Sequence, residues 1–252
     1  QLEDRTANQY VLTDNNVPDG QSGVLGKVGR GIMLGGRLST DYLLTEDINM
    51  TSWSEMTVSY LYSWQSESGS SWYPRFLSIQ HGGGDDIRAY HANGSSTASF
   101  IMDDGDFSKT INMTFDSDWT YAALTHDGST MRVYKNGSQV GSGAESFDYA
   151  GADGALTIGT NSDTIGGDRE RDTIKGTFDE VRYSSAARSA AWVAADYRNV
   201  YDVSGFLTWD AIDGPAITNG FSSISEAAAD GDPVFDVDDD SGGDTDMGDA
   251  AL

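Results

Sequence analysis

In Met56-Thr57-Val58-Ser59-Tyr60-Leu61-Tyr62-Ser63-Trp64 every even position is apolar or aromatic, and the odd positions are mostly Thr and Ser. A period of two is the signature of a strand with one face turned to a core. Arg75 to His81, Ala98 to Met102, Thr110 to Phe115 and Trp119 to Thr125 follow the same habit. Met131 to Lys135 then meets Asn136-Gly137, and Ser138 to Val140 returns. Asn-Gly between two strand runs predicts a tight hairpin, because both turn residues need positive φ. Ala155 to Ile158, Thr177 to Tyr183 and Phe206 to Ile212 add further strands.

One stretch departs from this alternation. Ser189 is placed to cap a short helix through Trp192, Val193 and Tyr197, with Asn199 tolerating a left-handed exit. About a dozen short strands and one helix near 189–198 predict an all-β fold, a two-sheet antiparallel sandwich. The sandwich is assigned to residues 1–213 and an acidic C-terminal extension to 214–252. Trp53, Trp64, Trp119 and Trp192 are assigned to the core.

Composition changes the picture through charge. The chain of 252 residues carries 40 acids against 15 bases, a formal net charge of −25. The acids are 32 Asp and 8 Glu, and the bases are 11 Arg and 4 Lys. Such a chain makes a phosphate backbone an unsuitable partner, so nucleic acid is excluded. Short hydrated Asp carboxylates in place of Lys stems keep a surface wet where salt competes for water. This is read as the composition of a halophile's protein. The charge is also uneven: residues 199–252 hold 13 acids and no base. From Ala227 onward Asp, Gly, Ala and Ser dominate, as in a tail or docking strap. Its run Pro233 to Val237 alternates as a strand should, and the sheet edge of a neighbouring subunit is its expected holder, with bridging cations or the vacant first-strand slot as alternatives. With no Cys, disulfide scaffolds, Cys-ligated zinc and thiol catalysis are excluded. No apolar run approaches 18 residues, so no membrane span is expected. Neither is a signal peptide expected at Gln1, which lacks a charged segment followed by an apolar one.

Three segments carry a family likeness. Gly26-Lys27-Val28-Gly29-Arg30-Gly31-Ile32-Met33-Leu34 is followed by Asp41-Tyr42-Leu43. Trp119 to Gly141 includes Asp127-Gly128-Ser129 and Asn136-Gly137. Gly176-Thr177-Phe178-Asp179-Glu180-Val181-Arg182-Tyr183 precedes Ala187-Arg188-Ser189 and Trp192 to Tyr197. Together, over about residues 20–212, they resemble the laminin G-like, or concanavalin A-like, jelly-roll family in its archaeal and bacterial surface-protein branch. The sequence departs from that family in lacking an aromatic-rich opening strand and in adding the acidic strap.

The resemblance implies ligand binding more than catalysis. Glycosidases of this fold carry an E-x-D-x-x-E strand, and none occurs here. Asp179-Glu180 is adjacent, so its two side chains are expected on opposite faces. His81, His91 and His126 fall in no HExxH or GxSxG context. A non-enzyme is therefore expected. Trp72 and Tyr73, in a Ser- and Gly-rich loop, are the leading ligand contacts, with His81, Tyr90 and His91 behind them, since an aromatic body stacks on a sugar while its polar tip bonds hydroxyls. The resemblance places Asp179 at a structural Ca²⁺ position; the alternative is a carboxylate bonded to nearby amides. Asp103, Asp104 and Asp106 form a second acidic set for the same ion, or a solvated turn. Sequons at Asn49, Asn93, Asn112 and Asn136 point to a glycoprotein.

The resulting expectation is a non-catalytic extracellular recognition or adhesion module of a halophilic archaeon or its virus. Its partner is a surface glycan or glycoprotein. The alternative is a structural assembly protein of a virion, pilus or surface layer, its tail docked to a neighbouring subunit. Adaptation to salt predicts a melting temperature that climbs steeply between about 0.1 M and about 2 M KCl, as the Debye length falls from roughly 10 Å to under 3 Å. A flat thermal melting curve across that range overturns the halophile reading.

Overall fold

The computed structural model describes residues 12–15, 22–35, 42–45, 48–50, 52–66, 75–80, 86–91, 95–103, 108–147, 149, 153–154, 156–159 and 174–201. The acidic strap, its Pro233 to Val237 run and the strand expected at Phe206 to Ile212 lie outside these residues. So do Trp72, Tyr73, His81, Asn93, Asp104 and Asp106. One compact unit reaches Leu207, and the second, Thr208–Leu252, contains no described residue.

Two antiparallel sheets of seven strands make the sandwich. In sheet A the spatial order is β1 (Leu12–Asn15), β4 (Tyr42–Thr45), β15 (Leu156–Ile158), β7 (Arg75–Gln80), β8 (Asp86–His91), β9 (Thr97–Asp103) and β10 (Ser108–Thr114). Sheet B runs β13 (Ser138–Ala144), β12 (Thr130–Lys135), β11 (Trp119–His126), β6 (Met56–Trp64), β16 (Lys175–Ser184), β3 (Arg30–Gly35) and β2 (Ser22–Leu25). A small pair joins β14 (Asp153–Gly154) to β5 (Ile48–Asn49). The single helix described, α1, spans Ala190–Val200. The two-sheet antiparallel sandwich with one short helix is thus what the alternation predicts.

The core lies between the sheets and is rich in rings. Tyr62 of β6 meets Phe76 of β7 edge-on at 4.8 Å and Phe115, just past β10, at 5.4 Å. Its hydroxyl donates to the Lys175 carbonyl at 2.6 Å, which satisfies the polar tip of a fully buried ring. Strand β6 is buried on both faces, more than a half-buried strand predicts. The reason is α1: Leu61, Tyr121, Ala123, Tyr134, Val193 and Val200 form a second apolar cluster between the helix and the outer face of sheet B.

The helix starts as its sequence predicts, with the Ser189 hydroxyl accepting from the Trp192 N–H at 3.2 Å. Its end differs. Asn199 stays helical, and Tyr201 closes the helix in right-handed geometry, its N–H donating to the Tyr197 carbonyl. Trp192 also differs from the expectation. It is 36% exposed and carries the Arg188 guanidinium over its ring at 5.0 Å, whereas Trp53 and Trp64 pack on the main core and Trp119 on the second cluster.

Polar links fasten α1 to sheet B. Asp196 is only 8% exposed. It accepts from the Tyr121 hydroxyl at 2.8 Å and from Arg182 at 2.5 Å. Arg182 also pairs with Glu180. A buried carboxylate needs such partners, because an unpaired one costs several kcal/mol, of order 3–5 kcal/mol when a partner is removed.

Asn136 and Gly137 form the predicted turn, with φ of 50° and 77°. The Asn136 N–H donates to the Tyr121 carbonyl at 2.9 Å, and the Asn136 Oδ1 accepts from the Tyr121 N–H at 3.0 Å. A Cβ at Gly137 would stand 3.0 Å from Tyr197 Cδ1 and 3.2 Å from the Ala194 Cα, so the turn supports α1 as well as the hairpin. Replacing Gly137 by Val should cost about 1–3 kcal/mol for backbone strain alone, with the helix contact adding to it. Urea denaturation of G137V measures this, and an unchanged midpoint refutes the role given to the turn.

Candidate functional site

Inward positions of sheet A are fixed by the core residues Ile87 and Ala89 of β8, Ala98, Phe100 and Met102 of β9, and Ile111 and Met113 of β10. Alternation then turns Arg88 and Tyr90 outward and His91 inward. The register assembles a row across four strands: Arg75 opposite Tyr90, Tyr90 opposite Ser99, and Ser99 opposite Asn112. A second row runs Thr157, Ser78, Arg88, Ile101 and Thr110. Asp103 and Ser108 face each other one step further along.

This outer face is polar and internally bonded. Arg75 donates to Ser78 Oγ at 3.2 Å, and Arg88 reaches Asp103 at 3.4 Å. The Ser99 hydroxyl donates to Asn112 Oδ1 at 2.9 Å, and the Thr97 and Thr114 hydroxyls share a bond at 3.3 Å. Exposure is greatest on β10, while Ile101 of β9 is buried. Ser78 and Thr157 are fully buried, Arg88, Tyr90 and Ser99 are half-buried, and Thr110, Asn112 and Thr114 are exposed. The open side therefore offers hydroxyls, an amide, a guanidinium–carboxylate pair and one aromatic ring on strands about 4.8 Å apart. Such a surface pairs with hydroxyls through its polar groups while the ring covers an apolar patch.

Of this row the sequence singles out Tyr90 as a contact and Asn112 as a sequon; Arg75 and Ser99 lie in strands that the alternation predicts but are not singled out, and the signal for Arg88 is the alternation in Asp86-Ile87-Arg88-Ala89-Tyr90-His91.

His91 is a correction to the expected contact set. It is 1% exposed and sits among Phe76 at 4.3 Å, Phe115 at 5.6 Å, Trp64 at 5.9 Å and Tyr62 at 6.3 Å. Among the described residues neither ring nitrogen makes a well-aligned hydrogen bond. Burial lowers its pKa from 6.5 to about 4, partly offset by the backbone near Thr97 and Ser95. It is a neutral core residue. Burial lowers the pKa of His126 as well, and its two nitrogens are bonded to the Tyr149 hydroxyl at 2.8 Å and the Glu145 carbonyl at 2.9 Å.

Asp179 sits at the bulge in β16 and spends its carboxylate on the backbone. Oδ2 accepts from the Val28 N–H at 2.7 Å and Oδ1 from the Glu180 N–H at 2.8 Å. Burial raises its pKa, and those amides oppose the rise. Glu180, at φ 50°, directs its own carboxylate to Arg182. A Ca²⁺ ion needs six to eight oxygens. Among the described residues no three His, Asp or Glu gather to hold a metal, and Asp103 is paired with Arg88. Asp179 is bonded to nearby amides, the arrangement that the sequence left as the alternative to calcium. No described helix is long and apolar enough to cross a membrane.

A family model described as the concanavalin A-like lectin/glucanases superfamily matches residues 35–194, and the chain belongs to that superfamily. Among curated proteins no sequence matches significantly. Several solved structures share the fold. The receptor binding domain of botulinum neurotoxin mosaic serotype C/D has a TM-score of 0.60 at 15% identity, over 79% of this chain and 48% of that one. A botulinum neurotoxin type C structure, described as a toxin whose cell entry depends upon interaction with two ganglioside molecules, gives 0.58 at 11% identity, over 79% and 49%. A heptameric SAP-like pentraxin from Limulus polyphemus gives 0.48 at 18% identity, over 62% and 75%. The chain spans about half the length of the toxin chains it matches. At such identities the likeness is one of fold.

The burial of His91 makes acid sensitivity testable. Its folded pKa lies below its unfolded one, so the unfolded chain takes up the proton first. Stability should fall as pH drops from about 6.5 to about 4, by up to roughly 3 kcal/mol in all. H91F keeps the ring packing and removes the proton site. Denaturant titrations at the two ends of this window should show a smaller acid loss in H91F than in wild type; equal losses exclude His91 as the group responsible.

Proposed function

We propose that this domain is a non-catalytic recognition module that binds a surface glycan or glycoprotein through the outer face of sheet A, near β8–β10. The observation that carries the reading is the row Arg75–Tyr90–Ser99–Asn112, flanked by the Arg88–Asp103 pair. It supplies donors, acceptors and one aromatic body on a rigid sheet, and rigid placement limits the ordering cost of binding. The ganglioside interaction of the type C neurotoxin, a fold relative, accords with a saccharide ligand. The reading extends to an extracellular setting on a cell or virion surface in high salt, on the strength of the acidic composition and the four sequons.

The test is a glycan array probed in molar KCl with the full chain and with Tyr90→Ala. A glycan bound by wild type should be bound about tenfold more weakly by Y90A, a change of about 1.4 kcal/mol, with an unchanged near-UV circular dichroism spectrum. Binding that survives Y90A intact removes the assigned face. No binding at all, together with a defined oligomer by native mass spectrometry, favours the structural-assembly reading.

A further inference from the structure

The four sequons are not equivalent in the fold. Asn136 lies half-buried in the tight turn, with its carboxamide oxygen bonded to the Tyr121 N–H and Gly137 packed beneath α1. A saccharide there would have to pass the helix. Asn49 is on β5 with its side chain outside the described residues, and Asn93 lies outside them altogether. Asn112 is different. It is exposed on the outer face of β10, the terminal strand of sheet A, with Thr114 exposed on the same face. In extended chain those two side chains stand about 7 Å apart on one side. Its Oδ1 accepts from Ser99, a bond that does not engage the Nδ2 group.

We propose that Asn112 carries an N-linked saccharide, and that this saccharide lies across the outer face of sheet A toward Tyr90. The proposal deepens the reading of that face as a binding surface, adding a regulator attached to it. In the transfer, Nδ2 attacks the anomeric carbon of a saccharide activated as a phosphate ester of a carrier. A C–N bond forms and the anomeric C–O bond breaks. The phosphate-bearing carrier leaves with the electron pair, and the Nδ2 proton passes to a base of the transferase. Asn112 and Tyr90 occupy one row two strands apart, about 10 Å, which a saccharide of a few rings spans. The attached chain would then cover the half-buried ring that a free ligand needs.

The experiment uses the full chain secreted from a host with N-glycosylation, as wild type, N112Q, T114V and N136Q. Peptide mass spectrometry should find saccharide mass on the Asn112 peptide. N112Q and T114V should lose it, while N136Q keeps it. An unmodified Asn112 peptide in folded wild-type protein overturns the proposal. Coverage is read separately by hydroxyl-radical footprinting. Oxidation of Tyr90 should rise at least about twofold in N112Q relative to wild type, in proportion to the surface uncovered. Equal oxidation overturns the placement of the saccharide over the face. Neither measurement uses a glycan ligand, so failure on the array and failure here are distinguishable.

Discussion

The edge-to-face contact between Tyr62 and Phe76 joins the two sheets, and the rest of the structure is arranged around it. Tyr62 belongs to the central strand of sheet B, Phe76 to the middle of sheet A. Phe115, Phe178 and His91 pack around the same pair. Ring quadrupoles prefer these tilted and perpendicular geometries, which gives the sandwich a specific register where aliphatic packing alone would allow sliding. The outer face of sheet A inherits its positions from that register. With Phe76, Ile87, Ala89 and Phe100 committed inward, Arg88, Tyr90 and Ser99 must point outward.

A second device fixes the opposite side of the molecule. The bulge between Asp179 and Arg182 breaks the pairing of β16 with β6. It sends Asp179 to the Val28 N–H and Arg182 to Asp196 on α1. Adjacent charged residues in a regular strand would have split between the two faces. Here the left-handed Glu180 permits one carboxylate to hold the β2–β3 turn and a guanidinium to hold the helix. The carboxylates of this cluster are thus bonded by backbone amides and by the Arg182 guanidinium.

The strands with clean alternation, β6, β9, β10, β11 and the β12–β13 hairpin, were legible because one face met a core and the other did not. Asn136-Gly137 was legible because few sequences tolerate two consecutive positive φ values. The short strands β1, β2, β4, β5 and β14, of two to four residues, were not, since periodicity needs several repeats to register. The exposure of Trp192 was hidden because size and hydrophobicity do not reveal which side of a helix faces the sheet. The face of His91 was readable once β8 was seen as a strand. That Asp179 would bond amides depended on a bulge and on the distant Gly26–Gly29 turn, which a linear pattern does not bring together. The row Arg75–Tyr90–Ser99–Asn112 joins four strands and needs the register of three pairings, information that resides in the fold.

The uneven spread of charge along the chain has a consequence for handling. Residues 199–252 hold 13 of the 40 acids and none of the 15 bases, so about half of the formal net charge of −25 is carried by the last fifth of the sequence. An anion exchanger would therefore separate the full chain from a form ending at residue 198, whose 27 acids and 15 bases leave a formal charge of −12.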